Sequence, residues 1–325
     1  MEIQKRLPKT MIIRLLLFIF CFSQTLEAKV IKMGLTPFTK NNLIEEQFFP
    51  LVKILEMKLG NRVELIVEPD HLKLASALAE GKLDIAHFTP ITYVLAKLEV
   101  PELKVSFSNV ANGNYYYVGY FLSLKESGIS SIEDIEGKRI VFTKPTSTSG
   151  FFFPLTRLLE NGIPPWKSPT SYYFSGGHLE SIKEVFEGRA DVAIVYSVLL
   201  SNFEKKFPGF DRKRLNYFAK TERIPLDAYC LSDKLDSDTK KIIVDTFLNM
   251  HINNRNALGR MLKINAFIRV NEDSYKVVHK MIKKLESRGK LSSKAGLKVT
   301  AKGISNFPGM PEPELVDIEK KEEEK

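Results

Sequence analysis

One seven-residue phrase occurs twice in this chain, at a separation of 107 residues. Glu80-Gly81-Lys82-Leu83-Asp84-Ile85-Ala86 and Glu187-Gly188-Arg189-Ala190-Asp191-Val192-Ala193 each follow a segment with apolar residues at helical spacing, and each leads into a short apolar run. The glycine suits the left-handed backbone that stops a helix, and the acid opens the next strand. Either a common helix-to-strand turn is used twice or the chain contains two similar lobes.

The surrounding pattern alternates strand and helix. Val30 to Leu35 predicts a strand, and Ile44, Phe48, Leu51, Val52, Leu55 and Leu59 recur at helical spacing up to Gly60. A strand at Arg62 to Val67, a helix at Leu72 to Glu80, a strand at Leu83 to Phe88 and a helix at Ile91 to Leu98 complete a first series. The second series has strands at Tyr117 to Leu124 and Arg139 to Thr143, a helix from about Gly150 to Glu160, a strand at Ser171 to Phe174, a helix at Leu179 to Glu187 and a strand at Val192 to Val195. Such alternation implies an α/β fold with mostly parallel sheets and right-handed crossovers.

After Lys220 the order changes to a strand at Leu226 to Leu231, followed by helices near Asp238 to Asn254, Asn256 to Ile264 and Asp273 to Ser287. A lobe interrupted by a second lobe and then completed accounts for this order. The expected division is lobe 1 over 29–116 and 224–311 and lobe 2 over 117–223, with a cleft between them. With 44% hydrophobic residues in 325, the chain has apolar content for two such cores.

The first 28 residues read as a secretory signal: Lys5, Arg6, Lys9 and Arg14 precede the apolar run Leu15 to Phe22, and Ala28 puts a small residue before the expected cut. A membrane anchor needs ~20 apolar residues, so no stable membrane insertion is expected. Phe18-Ile19-Phe20-Cys21 also lacks the small residues that precede a lipidated cysteine. Removal of Cys21 leaves Cys230 alone, which excludes a disulfide framework or a cysteine-based zinc site. From Glu312 onward ten of fourteen residues are charged, as expected of a solvated, disordered tail.

The formal net charge is +9, and +7 once the leader takes away four basic and two acidic residues. This favours an anionic partner. The lysines are spread among acids with no arginine-rich arm, so a small anion is expected rather than nucleic acid.

Lys144-Pro145-Thr146-Ser147-Thr148-Ser149-Gly150 lies between a predicted strand and a predicted helix. Free N–H groups and the positive end of a helix dipole bind anions, and hydroxyls add donors. A capped turn needs one hydroxyl, whereas four stand here in a row, and Pro154 fits a first helical turn. Ser147, Thr148, Ser149 and Gly150 are therefore candidate ligand-binding residues. Ser175-Gly176-Gly177-His178 is a second such junction; His178 opens a helix whose apolar face is Leu179, Ile182, Val185 and Phe186, and so is expected to avoid the buried side. Tyr115, Tyr116 and Tyr117 begin the crossing into the second lobe, with one expected to donate a hydroxyl into the cleft and the others to pack. Asp227 stands where the chain returns, placed either to accept from a protonated ligand group or ammonium, or to form a strand-edge salt bridge.

Enzymatic motifs are missing: no GxGxxG, GxxxxGK[ST], HExxH or GxSxG occurs, and His71, His87, His178, His251 and His279 show no metal spacing. No catalytic residue, metal or cofactor is expected.

At these residues the chain resembles the phosphonate/phosphite-binding family of periplasmic solute receptors that serve ABC importers. The resemblance is carried by Met33-Gly34-Leu35, Gly81 to Ala86, Ser147-Thr148-Ser149-Gly150-Phe151 with Pro154, Gly177-His178, Asp191-Val192-Ala193 and Ile224-Pro225-Leu226-Asp227. It implies a two-lobe, type II periplasmic binding protein fold, in which Ser147, Thr148 and His178 hold the phosphonate oxygens, Tyr117 adds a hydroxyl and Asp227 reads the remaining substituent. It implies a monomer with permease and ATPase partners, hinge closure on the ligand and no chemistry. This sequence departs from the family pattern where His71 replaces a tyrosine in Glu68-Pro69-Asp70-His71 and where His87-Phe88 replaces a tryptophan-tyrosine pair. The glutamate that would face an ammonium falls near Tyr196 to Val198, where no acid stands. Phosphite, phosphate, another small oxyanion or an unrelated ligand remains open. An enzyme on the same fold, resembling thiamine-pyrimidine synthases, and an exported ligand-sensing protein without a transport role are the competing readings.

Overall fold

The computed structural model describes residues 30–36, 41–167, 170–197, 211–258, 264–292, 298–300 and 303–305. The expected leader over 1–28 and the charged tail from Glu312 lie outside the described residues. In chain order the first elements are β1 (Ile31–Leu35), α1 (Asn41–Leu59), β2 (Val63–Val67), α2 (His71–Ala79), β3 (Ile85–Phe88), α3 (Pro90–Glu99) and β4 (Val105–Ala111). Next come β5 (Tyr116–Tyr117), β6 (Gly119–Leu124), β7 (Arg139–Phe142), a π-helical turn at Thr148–Phe152 running into α4 (Phe153–Glu160), β8 (Ser171–Phe174), α5 (His178–Phe186), β9 (Val192–Tyr196) and β10 (Leu215–Lys220). The chain then returns through β11 (Ile224–Pro225) and β12 (Ala228–Leu231) to α6 (Ser237–Asn253), α7 (Arg255–Leu258), β13 (Ile264–Arg269), α8 (Lys276–Ser292) and the hairpin β14 (Lys298–Thr300) and β15 (Gly303–Ser305).

Two sheets organise these elements. One has the order β13-β4-β12-β3-β1-β2 and the other β10-β6-β9-β7-β8. Each has a parallel part, β3-β1-β2 and β9-β7-β8, extended by antiparallel strands. The expected mostly parallel sheets carry antiparallel strands beside their parallel parts, because β12 and β13 enter the first sheet after the excursion and β6 and β10 join the second at its entry and exit. The helix expected over Asn256 to Ile264 is also corrected: α7 stops at Leu258 and Ile264 begins β13. The strand expected over Tyr117 to Leu124 divides at Val118 into β5 and β6.

Apolar periodicity supplies the cores. On α1, Phe48, Leu51 and Leu55 are buried against β1 and β2 strand residues such as Ile31, Met33 and Val63, each full burial being worth ~1.5–3 kcal/mol. Phe107 of β4, Tyr229 of β12, Phe247 of α6 and Phe267 of β13 pack together, with Phe107 stacked on Tyr229 at 5.2 Å between ring centroids.

The repeated phrase folds the same way twice. Gly81 and Gly188 both take left-handed backbone, with φ of 77° and 70°. Lys82 N donates to Ala77 O, as Arg189 N does to Glu184 O. The Asp84 carboxylate accepts Lys32 N at 2.8 Å, and the Asp191 carboxylate accepts Arg139 N at 2.8 Å. The same offset of 107 relates α2 to α5, both nine residues long and both opened by a histidine, His71 and His178.

The two sheets are joined by crossing strands. β5 pairs antiparallel with β11, Tyr117 facing Ile224 and Tyr116 facing Pro225. Beside them Gly119 N donates to Thr221 Oγ1 at 2.9 Å, and Thr221 N returns to Gly119 O. The carboxyl ends of β1, β2 and β3 in one sheet and of β7, β8 and β9 in the other open toward the junctions that carry the predicted site residues.

Candidate functional site

The serine-threonine run forms a helix entrance. Ser147 is extended and its Oγ accepts Gly150 N at 3.0 Å, so it caps the π-helical turn. Its carbonyl accepts Phe152 N at 3.0 Å. Thr148, Ser149 and Gly150 are buried. A Cβ at Gly150 would fall on Thr143 Oγ1, so only glycine lets this turn sit against the end of β7. Apart from Gly150 N, which Ser147 caps, the first N–H groups of the turn have no helical acceptor within it and point along the positive end of its dipole.

Thr148 also reaches the other lobe. Its Oγ1 accepts Ile91 N at 3.2 Å, an N–H in the first turn of α3, whose N-cap is Thr89 and whose first residue is Pro90. Two helix N-termini from different lobes therefore meet at one hydroxyl.

The second junction contributes His178. Gly176 has φ of 89°, and Gly177 is extended and leads into α5 without a side-chain cap. His178 does not avoid the interior as expected. It is half-buried, its ring lies edge-on to Tyr196 at 4.8 Å, and its Nδ1 accepts Tyr196 N at 3.3 Å. Burial, with the nearby Lys144 charge second, holds its pKa down at about 3. A neutral ring whose Nδ1 accepts carries its hydrogen on Nε2. Lys144 is itself pushed below the usual lysine range by burial, with Glu180 acting against that shift.

Tyr117 links the groups. Burial raises its phenol first, then the charge of Asp227, while the hydroxyls of Ser149 and Thr148 act in the opposite sense. Its ring stands edge-on to Tyr196 at 6.3 Å, whose phenol is likewise raised by burial and by Asp227. Of the three tyrosines, Tyr115 is 64% exposed rather than packed, and Tyr116 lies under the Arg223 guanidinium at 4.3 Å.

Asp227 stands on the β11–β12 connection with its side chain 26% exposed, and its Oδ2 lies 3.1 Å from Nε2 of His87 at the end of β3. Its backbone N donates to Asn109 Oδ1 at 3.1 Å. His71 opens α2 at the carboxyl end of β2, buried and preceded by the capping Asp70. The structure thus brings Thr148, Ser149, Tyr117 and Asp227 together and sets His178 beside Tyr196; His71 holds the corresponding place at the end of the other sheet. Sequence reasoning missed the Ile91 N–H, Tyr196 and Lys144. Pro90 after Thr89 was the available signal for the first, and Lys144 stood unremarked inside the hydroxyl-rich run.

Two lobes built on mixed α/β sheets, joined by crossing strands and presenting helix N-termini to one another, define the type II periplasmic binding protein fold. The chain belongs to the family of ABC transporter phosphonate periplasmic substrate-binding proteins, whose model matches residues 33–275. It is 26% identical over 181 residues to the Phosphate-import protein PhnD of Mycolicibacterium smegmatis, covering 53% of this chain and 56% of that one. It is 25% identical over 228 residues to the phosphonates-binding periplasmic protein of Escherichia coli, covering 69% and 67%. Among solved structures, PhnD1 of Prochlorococcus marinus in complex with methylphosphonate superposes with a TM-score of 0.69 at 20% identity, covering 80% of this chain and 99% of that one. These relatives carry the names of binding and import proteins. Among the described residues no helix is long and apolar enough to cross a membrane.

Proposed function

We propose that this protein is the periplasmic substrate-binding component of an ABC importer and that it holds a small phosphorus oxyanion, phosphate, phosphite or a phosphonate, between its lobes. The observation that carries this reading is the meeting of the two lobes at Thr148, where hydroxyls and helix N-termini converge, with Asp227 near Tyr117. Anion oxygens accept the N–H groups of the Thr148 turn and the hydroxyls of Ser147, Thr148 and Ser149. His178 donates from Nε2, Tyr117 donates its hydroxyl, and Asp227 reads the remaining substituent. His71 contributes from the opposite lobe.

The lobes, 29–116 with 224–311 and the inserted 117–223, close about the β5–β11 crossing, and the ligand favours the closed form because both lobes touch it. Permease and ATPase subunits then receive a ligand that has undergone no reaction. The names of the relatives, one a phosphate importer and one a phosphonate binder, support this ligand class, as does the methylphosphonate complex of the Prochlorococcus protein.

Thermal unfolding against phosphite, phosphate, sulfate, methylphosphonate and aminoethylphosphonate tests the proposal. A ligand at 100 times its Kd adds ~2.7 kcal/mol to a folded form that alone binds it. A midpoint shift with a phosphorus oxyanion, lost in Thr148→Ala and His178→Ala, is expected. A folded protein with no shift from any of these anions would refute the reading.

A further inference from the structure

We infer that His87 is a specificity-determining positioning residue, which commits one oxygen of Asp227 and so tunes the cleft to oxyanions bearing a hydroxyl or a small neutral substituent rather than an ammonium. This rests on the oxyanion reading above and adds its selectivity. His87 is 1% exposed, at the carboxyl end of β3. Its ring lies against Tyr229 at 4.9 Å and Phe48 at 6.0 Å between centroids, so its direction is fixed by packing. From there Nε2 reaches Asp227 Oδ2 at 3.1 Å, across 140 residues of sequence. A carboxylate only accepts, so the ring donates.

The consequence follows from counting acceptors and charge. Asp227 keeps its side chain 26% exposed and lies near enough for its charge to raise the phenols of Tyr117 and Tyr196. A carboxylate with both oxygens free is a good partner for an ammonium and a poor neighbour for an anion. With Oδ2 engaged by His87, the charge is drawn toward the interior and Oδ1 remains to accept one hydrogen bond, which a P–OH group supplies. Tyr196 and Ser197, at the end of β9, offer no second carboxylate to complete an ammonium site.

The test compares methylphosphonate with aminoethylphosphonate by calorimetry on the full chain. The wild type is expected to bind methylphosphonate at least about tenfold more tightly, the scale of one charge-assisted hydrogen bond. His87→Phe keeps the ring and removes the donor; it should weaken methylphosphonate and close the gap by about tenfold. His87→Gln, which keeps a donor, should restore the wild-type order. Should the phenylalanine variant fail to unfold cooperatively, His87→Met carries the same comparison. An unchanged preference in the donorless variant, or a wild type that binds both phosphonates equally, overturns this inference while leaving the oxyanion reading intact. A wild type that binds none of the phosphorus oxyanions refutes that reading and this one with it.

Discussion

Thr148 accepts the backbone N–H of Ile91 at 3.2 Å, and the two residues belong to different lobes. Both are buried, so the bond is shielded from water and its loss strands an N–H. Thr148→Val, close in shape and without an acceptor, is expected to cost about 1–3 kcal/mol in urea unfolding. Thr148→Ser keeps the hydroxyl and should stay near wild type.

His178 makes stability fall in mild acid. Its folded pKa of about 3 lies below its ordinary value of 6.5, chiefly through burial, so the unfolded chain takes up the proton first. This contribution is complete above pH 6.5 and is lost as pH drops toward 3, with a slope of up to about 1.4 kcal/mol per pH unit. Because the shift is a penalty on the protonated ring and Gln does not titrate, the wild type should lose stability relative to His178→Gln as pH falls below 6.5, and their melting midpoints should move apart in acid. Lys144→Met removes the second cause, and NMR titration should find the His178 pKa moved upward.

Gly150 is held by contact rather than by a left-handed backbone. A methyl group there meets the buried Thr143 hydroxyl, so Gly150→Ala should cost about 1–3 kcal/mol through overpacking. Adding Thr143→Ala should return much of that loss, and a double-mutant cycle reads the coupling directly.

Asp84 and Asp191 fasten their sheets at the ends remote from the cleft. Alanine at either strands a strand N–H, and Asp191→Ala also frees the Arg139 guanidinium, paired at 2.8 Å. Each should lower stability by about 1 kcal/mol, Asp191→Ala by the larger amount, with oxyanion affinity unchanged in calorimetry.

The repeated phrase was readable because helix stop, glycine and acid are local. β4 was not: Ser108 and Asn109 look like loop residues, yet both are buried, and Asn109 uses its amide oxygen to hold Asp227 N. β13 escaped notice because its pairing with β4 slips between Ile264 and Ala266, which breaks the alternation that marks a strand. In the site, the hydroxyl run and His178 were visible as helix entrances. The Ile91 N–H and the bond from His87 to Asp227 join residues 57 and 140 apart, a relation that no local pattern carries.

The constant offset of 107 gives the molecule an internal control. Lys32 and Arg139, Thr36 and Thr143, His71 and His178, and Asp84 and Asp191 occupy matching places in the two frames. The frames agree at the end that staples strand to strand and, at His71 and His178, at the opposite end as well, while His87 in one corresponds to Ile194 in the other. The same substitution made at matching positions in both frames therefore separates what the shared strand-helix-strand architecture requires from what belongs to one lobe alone.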